Sequence, residues 1–205
     1  MQRRVETRYP VMPAILERWS PRSFLDQEVE PEKLRSMFEA ARLAPSAHNS
    51  QPSRFLLGRK GKGNNFDRLF ECLDDFNKEW AYGAPVLILA SVTRKRFSQI
   101  TGEFMPYSHA LHDLGMAIMS LAIQAREMGL HSHPMAAFDP EKARKEFSIP
   151  PLFLPGMIIA AGYVGPSEIL PDELRARETA PRTRRPLEEM VFEDAWGQAS
   201  QLFAK

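Results

Sequence analysis

The chain has 205 residues, 43% of them hydrophobic and 26% charged, with 27 Lys and Arg against 26 Asp and Glu for a formal net charge of +1. That is the composition of an ordinary globular protein of one domain, and the near-neutral balance excludes a global field for nucleic acid or a membrane surface. The opening MQRRVETRYP lacks a secretory apolar stretch, the strongest apolar runs (86–92 and 157–165) are too short to span a bilayer, and a lone Cys72 permits no internal disulfide. A cytoplasmic protein is expected.

In chain order, residues 11–18 suit a short helix, with Val11, Ile15 and Arg18 on one side, broken at Pro21. PEKLRSMFEAARLA (31–44) predicts a helix with Pro31 in its first turn and Leu34, Met37, Phe38 and Ala41 at helical spacing. A loop crowded with Pro, Ser, Asn and Gln follows, then a strand over 54–58. Residues 64–80 predict one helix with Phe66, Leu69, Phe70, Leu73 and Phe76 along a stripe. APVLILASV (84–92) reads as a fully buried strand and 93–107 as a mixed connection. The longest helix is expected over 108–129, where small residues such as Gly115, Ala117, Ala122 and Ala125 allow close approach of another backbone. Asp139 and Pro140 start a helix over 138–147, and 156–165 is another buried strand. The tail, 166–205, has too few apolar residues for a core of its own, so it wraps this domain or reaches another subunit; its end, FEDAWGQASQLFAK, suits a last helix. Few strands separated by helices favour an α/β or α+β sandwich with helices on both sheet faces.

Three clusters could carry chemistry. In RWSPRSF (18–24), Arg18, Ser20 and Arg22 share one face if the segment is extended, which makes a clamp for phosphate or a planar oxygen group; a solvated basic turn is the alternative. In PSAHNSQP (45–52), Ser46, Asn49 and Gln51 offer donors and acceptors between two prolines; a loop closed by local side-chain turns is the alternative. In PRTRRPLEEMVF (181–192), Arg182 and Arg184 are again two apart, against a charged tail balanced by Glu188 and Glu189. His109, His112, His131 and His133 lack a carboxylate or cysteine cluster at metal-binding spacing, so no metal site is expected, and no glycine-rich nucleotide loop is present.

RWSPRSF, PSAHNSQPSRF, HDLGMAIMSLAIQAREMGL (112–130), PMAAFDP (134–140) and RTRRPLEEMV, in that order, resemble the successive motifs of the FMN-dependent nitroreductase family over nearly the whole chain. The resemblance implies an α+β, three-layer α/β/α sandwich with a central mixed sheet, an intertwined homodimer, and two FMN sites at its interface with 166–205 reaching onto the partner. It implies that Arg18 and Ser20, with Trp19 between them, hold the FMN phosphate end, that Arg22 sits by the flavin pyrimidine, and that Arg182 and Arg184 complete the phosphate site. Pro45, Ser46 and Asn49 would meet the flavin from the other subunit, and Met135, Ala136 and Ala137 would lie along its ring with a backbone N–H at N5. His48 would line the substrate pocket, with Phe104 and Tyr107 as a lid. The implied activity is NAD(P)H oxidation with hydride passed through the flavin to nitroaromatics, quinones or enones by a ping-pong cycle. A flavin-binding module without turnover, or a dehalogenating or flavin-fragmenting relative, is the alternative. Ser53-Arg54, where the family often has Trp, and Ala136-Ala137, where it has an acidic residue and Gly, depart from the pattern.

Overall fold

Proline placement starts the first two helices of the computed structural model, which describes residues 5–98 and 100–203. Pro13 opens α1 (Pro13–Glu17) and Pro31 opens α2 (Pro31–Arg42), each at a position whose N–H would have no intrahelical acceptor. After β1 (Ser53–Arg59), the single helix expected over 64–80 is instead two, α3 (Asn65–Glu71) and α4 (Asp75–Ala81). Asp74 adopts extended backbone and its carboxylate accepts the Asn77 N–H at 3.1 Å, capping α4. At the same point the Cys72 carbonyl accepts the Asp139 N–H at 2.8 Å and Leu73 bridges Phe138. A contact from far downstream thus breaks the helix, and the apolar stripe reads straight through the break because both halves face the same core.

The chain continues as β2 (Val86–Thr93), a hairpin of β3 (Lys95–Phe97) and β4 (Phe104–Pro106), α5 (Ala110–Glu127) and β5 (His131–Met135). Then come α6 (Pro140–Glu146), capped by Asp139 as expected, β6 (Phe153–Gly162) and α7 (Asp172–Thr179). The main sheet has the order β1-β2-β6-β5. It is antiparallel at every pairing rather than mixed. The reason is visible at β1 and β2: α3 and α4 carry the chain out and back, so that Arg59 at the end of β1 pairs with Val86 at the start of β2.

Side-chain alternation divides the core between the two sheet faces. Val86, Ile88, Ala90 and Val92 of β2, with Ile159 and Ala161 of β6, pack against α2 and α5. Leu87, Leu89, Ile158 and Ala160 face the other way, onto residues of α3, α4, α6 and α7 such as Phe66, Leu69, Trp80, Ala143 and Leu174. Each fully buried Leu or Ile contributes about 1.5–3 kcal/mol. The expected α+β sandwich with helices on both faces is therefore what the chain forms. No described helix is long and apolar enough to cross a membrane.

The tail departs from expectation. The helix expected over 192–205 does not form in its described part: Asp194 (φ 64°) and Gly197 (φ 89°) turn the backbone left-handed, and Phe192 bridges back to Ala199. Lys205 and its neighbour 204 lie outside the described residues, as do 1–4 of the charged N-terminal stretch and Gln99 of the 93–107 connection. The tail is held by Leu174 in the core, an Arg8–Glu188 ion pair at 2.5 Å and Tyr9 edge-on to Phe203.

One close approach offers a test of the layer spacing. A Cβ at Gly58 would lie 2.7 Å from both Cα and N of Phe66, which are backbone atoms of α3. Gly58→Ala is expected to cost about 1–3 kcal/mol in unfolding free energy by forcing α3 off β1. A urea midpoint equal to wild type would show that α3 retreats freely.

Candidate functional site

The site begins with the end of a short helix. The last carbonyls of α1 need donors, and Arg182, far away in sequence, supplies one: its Nη1 donates to the Leu16 carbonyl at 3.0 Å. Arg18 follows α1 with extended backbone and is half-buried. Burial, and then the nearby Arg184, lower its pKa from the ordinary arginine value. Arg184 donates to the Thr183 carbonyl at 2.6 Å. Among the described residues neither Arg18 nor Arg184 forms an ion pair. Three guanidinium groups therefore gather at one helix end, two of them repelling each other without a counter-charge. Such a donor set suits a doubly charged phosphate, which takes bidentate guanidinium bonds and relieves the repulsion. Arg182 and Arg184 also line a cleft of about 730 Å³ between residues 5–11 and 179–187.

From Arg18 the chain runs as an extended strip, fastened at almost every step. The Glu178 carboxylate, only 3% exposed on α7, accepts the N–H of Arg22 at 3.0 and 3.1 Å and that of Ser23 at 3.4 Å; Arg22 Nη1 is 3.9 Å from the same group. Ser23 Oγ donates to the Pro166 carbonyl at 2.7 Å, Phe24 bridges Val164, and the Leu25 N–H donates to the Tyr163 carbonyl at 2.9 Å. His133 Nδ1 lies 2.8 Å from the Pro21 carbonyl, and Trp19 packs edge-on against His131. Ser20 is half-buried in the middle of this strip. The alternation expected of 18, 20 and 22 thus has a rigid backbone behind it.

His131 and His133 are two apart on β5 and face this strip together. Burial, then Arg126 and Arg18, lower His131 from 6.5 to about 4. Burial, then Arg22 and Arg18, outweigh the Pro21 bond and lower His133 to about 4 as well. Both are neutral at pH 7, and His133 donates from Nδ1 with its ring stacked 4.5 Å from that of Trp80.

At the end of β5, Met135 is buried while Ala136 and Ala137 are exposed. Asn77, buried on α4, donates Nδ2 to the Ala137 carbonyl at 3.2 Å. The exposed peptide groups there are held on one side and open on the other.

The loop 45–51 is built differently. His48 (φ 56°), Asn49 (φ 51°) and Gln51 (φ 45°) are left-handed without being glycine, each at a cost of order 1 kcal/mol. Ser46 Oγ accepts the Gln51 N–H at 3.0 Å, and Asp113 of α5 accepts the Ala47 N–H at 3.2 Å. Pro45, His48 and Asn49 are exposed and Ser46 half-buried. Pro45, Ser46, Ser53 and Arg54 border a second cavity of about 220 Å³ that also reaches Asp113. This cavity and the arginine-lined cleft share no residue. Of the two residues expected as a lid, Phe104 is 63% exposed on β4, edge-on to Phe97; Tyr107 is 6% exposed and turned inward to Asp113.

Residues 15–73 and 65–163 match the family model described as Nitroreductase family. The chain belongs to that family. A nitroreductase relative from Streptomyces coelicolor, provisionally named NADH dehydrogenase/NAD(P)H nitroreductase, is 32% identical over 61% of this chain and 68% of its own. A crystal structure described as an oxidoreductase containing FMN superposes with a TM-score of 0.88 at 35% identity, over 93% of this chain and 95% of the other. A Desulfovibrio desulfuricans protein crystallised in complex with FMN gives 0.69 at 26% identity, over 93% and 99%.

The sequence motifs give no holding role to Glu178, His133, Asn77 or Asp113, although Asp113 lies within HDLG and His133 enters there only as a metal ligand to be weighed; these residues hold the nitroreductase motif segments in place. Each acts on backbone atoms of a segment distant in sequence, so no spacing rule joins them to it. The one available signal was type: a Glu in LRARETAP and an Asp in LHDLG lie on faces that the fold buries.

The neutral histidines predict a pH effect. Their unfolded pKa is near 6.5 and their folded values near 4, so below pH 6.5 the unfolded chain binds the extra protons and stability falls toward pH 4. The expected loss by pH 5 is on the order of 2 kcal/mol per histidine. Urea midpoints measured at pH 7 and pH 5 check this, and equal midpoints would mean that these histidines protonate freely in the native protein.

Proposed function

We propose that the chain is a cytoplasmic FMN-dependent NAD(P)H oxidoreductase working as a homodimer, with electron-poor small molecules such as nitroaromatics, quinones or enones as acceptors. The observation that carries the flavin reading is the convergence of Arg18, Arg182 and Arg184 on one helix end, two of them without an acidic partner among the described residues. The two neighbours described with FMN support the cofactor, and the name of the Streptomyces relative supports the nicotinamide donor. The buried free thiol of Cys72 is in keeping with a reducing compartment.

Bound FMN would supply the hydride chemistry, so no protein nucleophile is required. The protein's part is to hold and to polarise. Arg18, Ser20, Arg182 and Arg184 grip the phosphate end, with Trp19 packed beside them on His131. Arg22, its backbone fixed by Glu178, would hold its guanidinium at the pyrimidine edge of the flavin. The stretch Met135–Ala137 offers a backbone N–H to the flavin ring, kept in position by Asn77. Pro45, Ser46 and Asn49 complete the site from a second copy of the chain, with His48 and Phe104 bordering the acceptor. Leu111, Met116 and Met119, exposed on α5 with Gly115, support such a dimer, since exposed apolar patches of this kind mark interfaces; Ala117, Ala122 and Ala125 instead pack into the chain's own core. In this reading residues 1–205 are one domain whose 166–205 extension reaches the partner.

The test is direct. Purified protein is expected to be yellow, to release FMN on denaturation and to bleach anaerobically with NADH or NADPH. A colourless protein that takes up no added FMN would overturn the reading. Arg184→Ala is expected to raise the FMN dissociation constant about tenfold or more, the loss of a charge-assisted bond. Arg22→Ala is expected to slow flavin reduction as well, and unchanged cofactor content in both variants would overturn the site assignment.

A further inference from the structure

Loop 45–51 holds three left-handed, non-glycine residues, His48, Asn49 and Gln51, and something must hold them there. Its own hydrogen bonds, Gln51 N–H to Ser46 Oγ and Asn49 N–H to the Ser46 carbonyl, run only within the loop. Arg54 donates to the Gln51 carbonyl at 3.0 Å, and the buried tie to the rest of the protein is Asp113, 3% exposed on α5. Its carboxylate accepts the Ala47 N–H (3.2 Å to Oδ2, 3.4 Å to Oδ1) and the hydroxyl proton of Tyr107. The Tyr107 oxygen in turn lies 2.9 Å from Ser50 Oγ, which donates to it or to the Ala47 carbonyl. One carboxylate and one phenol thus engage both ends of the turn that carries His48 and Asn49. Among the described residues Asp113 has no cationic partner; a buried charge is here committed wholly to N–H and O–H donors, an arrangement that orders geometry rather than adding stability.

Tyr107 also ends the hairpin. Its N–H donates to the Arg94 carbonyl at 2.9 Å, directly beneath β3 and β4. The exposed Phe104 and the loop are therefore fastened to the same point.

We propose that Asp113 and Tyr107 are positioning residues that lock loop 45–51 so that Ser46 and Asn49 are presented to the flavin in a single geometry. The proposal rests on the flavin reading above. The two residues act through the backbone of Ala47 and the hydroxyl of Ser50.

The variants are Tyr107→Phe, which removes one hydroxyl and keeps the ring, and Asp113→Asn, which keeps the shape and removes the charge. Three measurements apply to the full-length protein: hydrogen exchange of the peptide spanning 45–52, FMN affinity, and the visible spectrum of bound FMN. Both variants are expected to exchange the loop faster, to weaken FMN binding about fivefold, the equivalent of one hydrogen bond, and to shift the flavin band. Exchange in β2 and β6 is expected to stay at wild-type rates, which separates a local release from loss of fold. Wild-type loop exchange in both variants overturns the proposal, and so does faster exchange with unchanged FMN affinity and spectrum. Wild-type protein that takes up no FMN overturns the flavin reading itself; exchange then decides alone whether the lock exists.

Discussion

Like charges held close together are the constraint around which this molecule is arranged. Arg18 and Arg184 approach without an acidic partner among the described residues, and Arg182 joins them at the end of α1. A fold tolerates that only if the segments carrying the charges are fixed by something other than the charges. The fastening is done at the backbone. Leu16 accepts from Arg182, and Glu178 takes the N–H groups of Arg22 and Ser23. Among the described residues, the Arg18 and Arg184 heads are left without an ion pair. The same device explains why the two histidines of β5 are neutral: another positive charge beside Arg18 and Arg22 would be costly, and burial keeps the protons away.

Loop 45–51 follows a parallel design with a different element. Asp113 grips backbone at Ala47 as Glu178 grips it at Arg22. In both places a buried carboxylate on a helix holds an irregular segment by its N–H groups. Arg18, Ser20 and Arg22 of the strip are half-buried, while Pro45, His48 and Asn49 of the loop are exposed. Because the sheet is buried on both faces by helices, neither segment can shift without disturbing a core strand: the 18–25 strip is bridged to the continuation of β6, and loop 45–51 leads directly into β1. Rigidity at the site is thus inherited from the β2–β6 centre of the sheet.

Much of this was legible in the residues. The doubly buried strands, the prolines at α2 and α6 and the Asp139 cap are all local patterns, and each holds. The features that local pattern does not give have a common cause. The break between α3 and α4 depends on Phe138 and Asp139, β5 on pairing with β6, and the antiparallel sheet on where paired helices return the chain. The absent C-terminal helix turned on left-handed backbone at Asp194 and Gly197, which favourable composition alone does not reveal.

The sequence by itself determined which side chains are available to the site, namely arginines two apart in two separate motifs and a loop of small polar residues between prolines. It determined the family too, because those motifs occur in a fixed order. Only the tertiary structure decided which arginines meet, since Arg18 and Arg184 lie at opposite ends of the chain and no periodicity links them. It also turned Tyr107 inward to Asp113 while leaving Phe104 outside. The reason is physical: local pattern reports the preferences of a segment, whereas buried carboxylates, bridged strands and repelling charges are settled only when distant segments share one core.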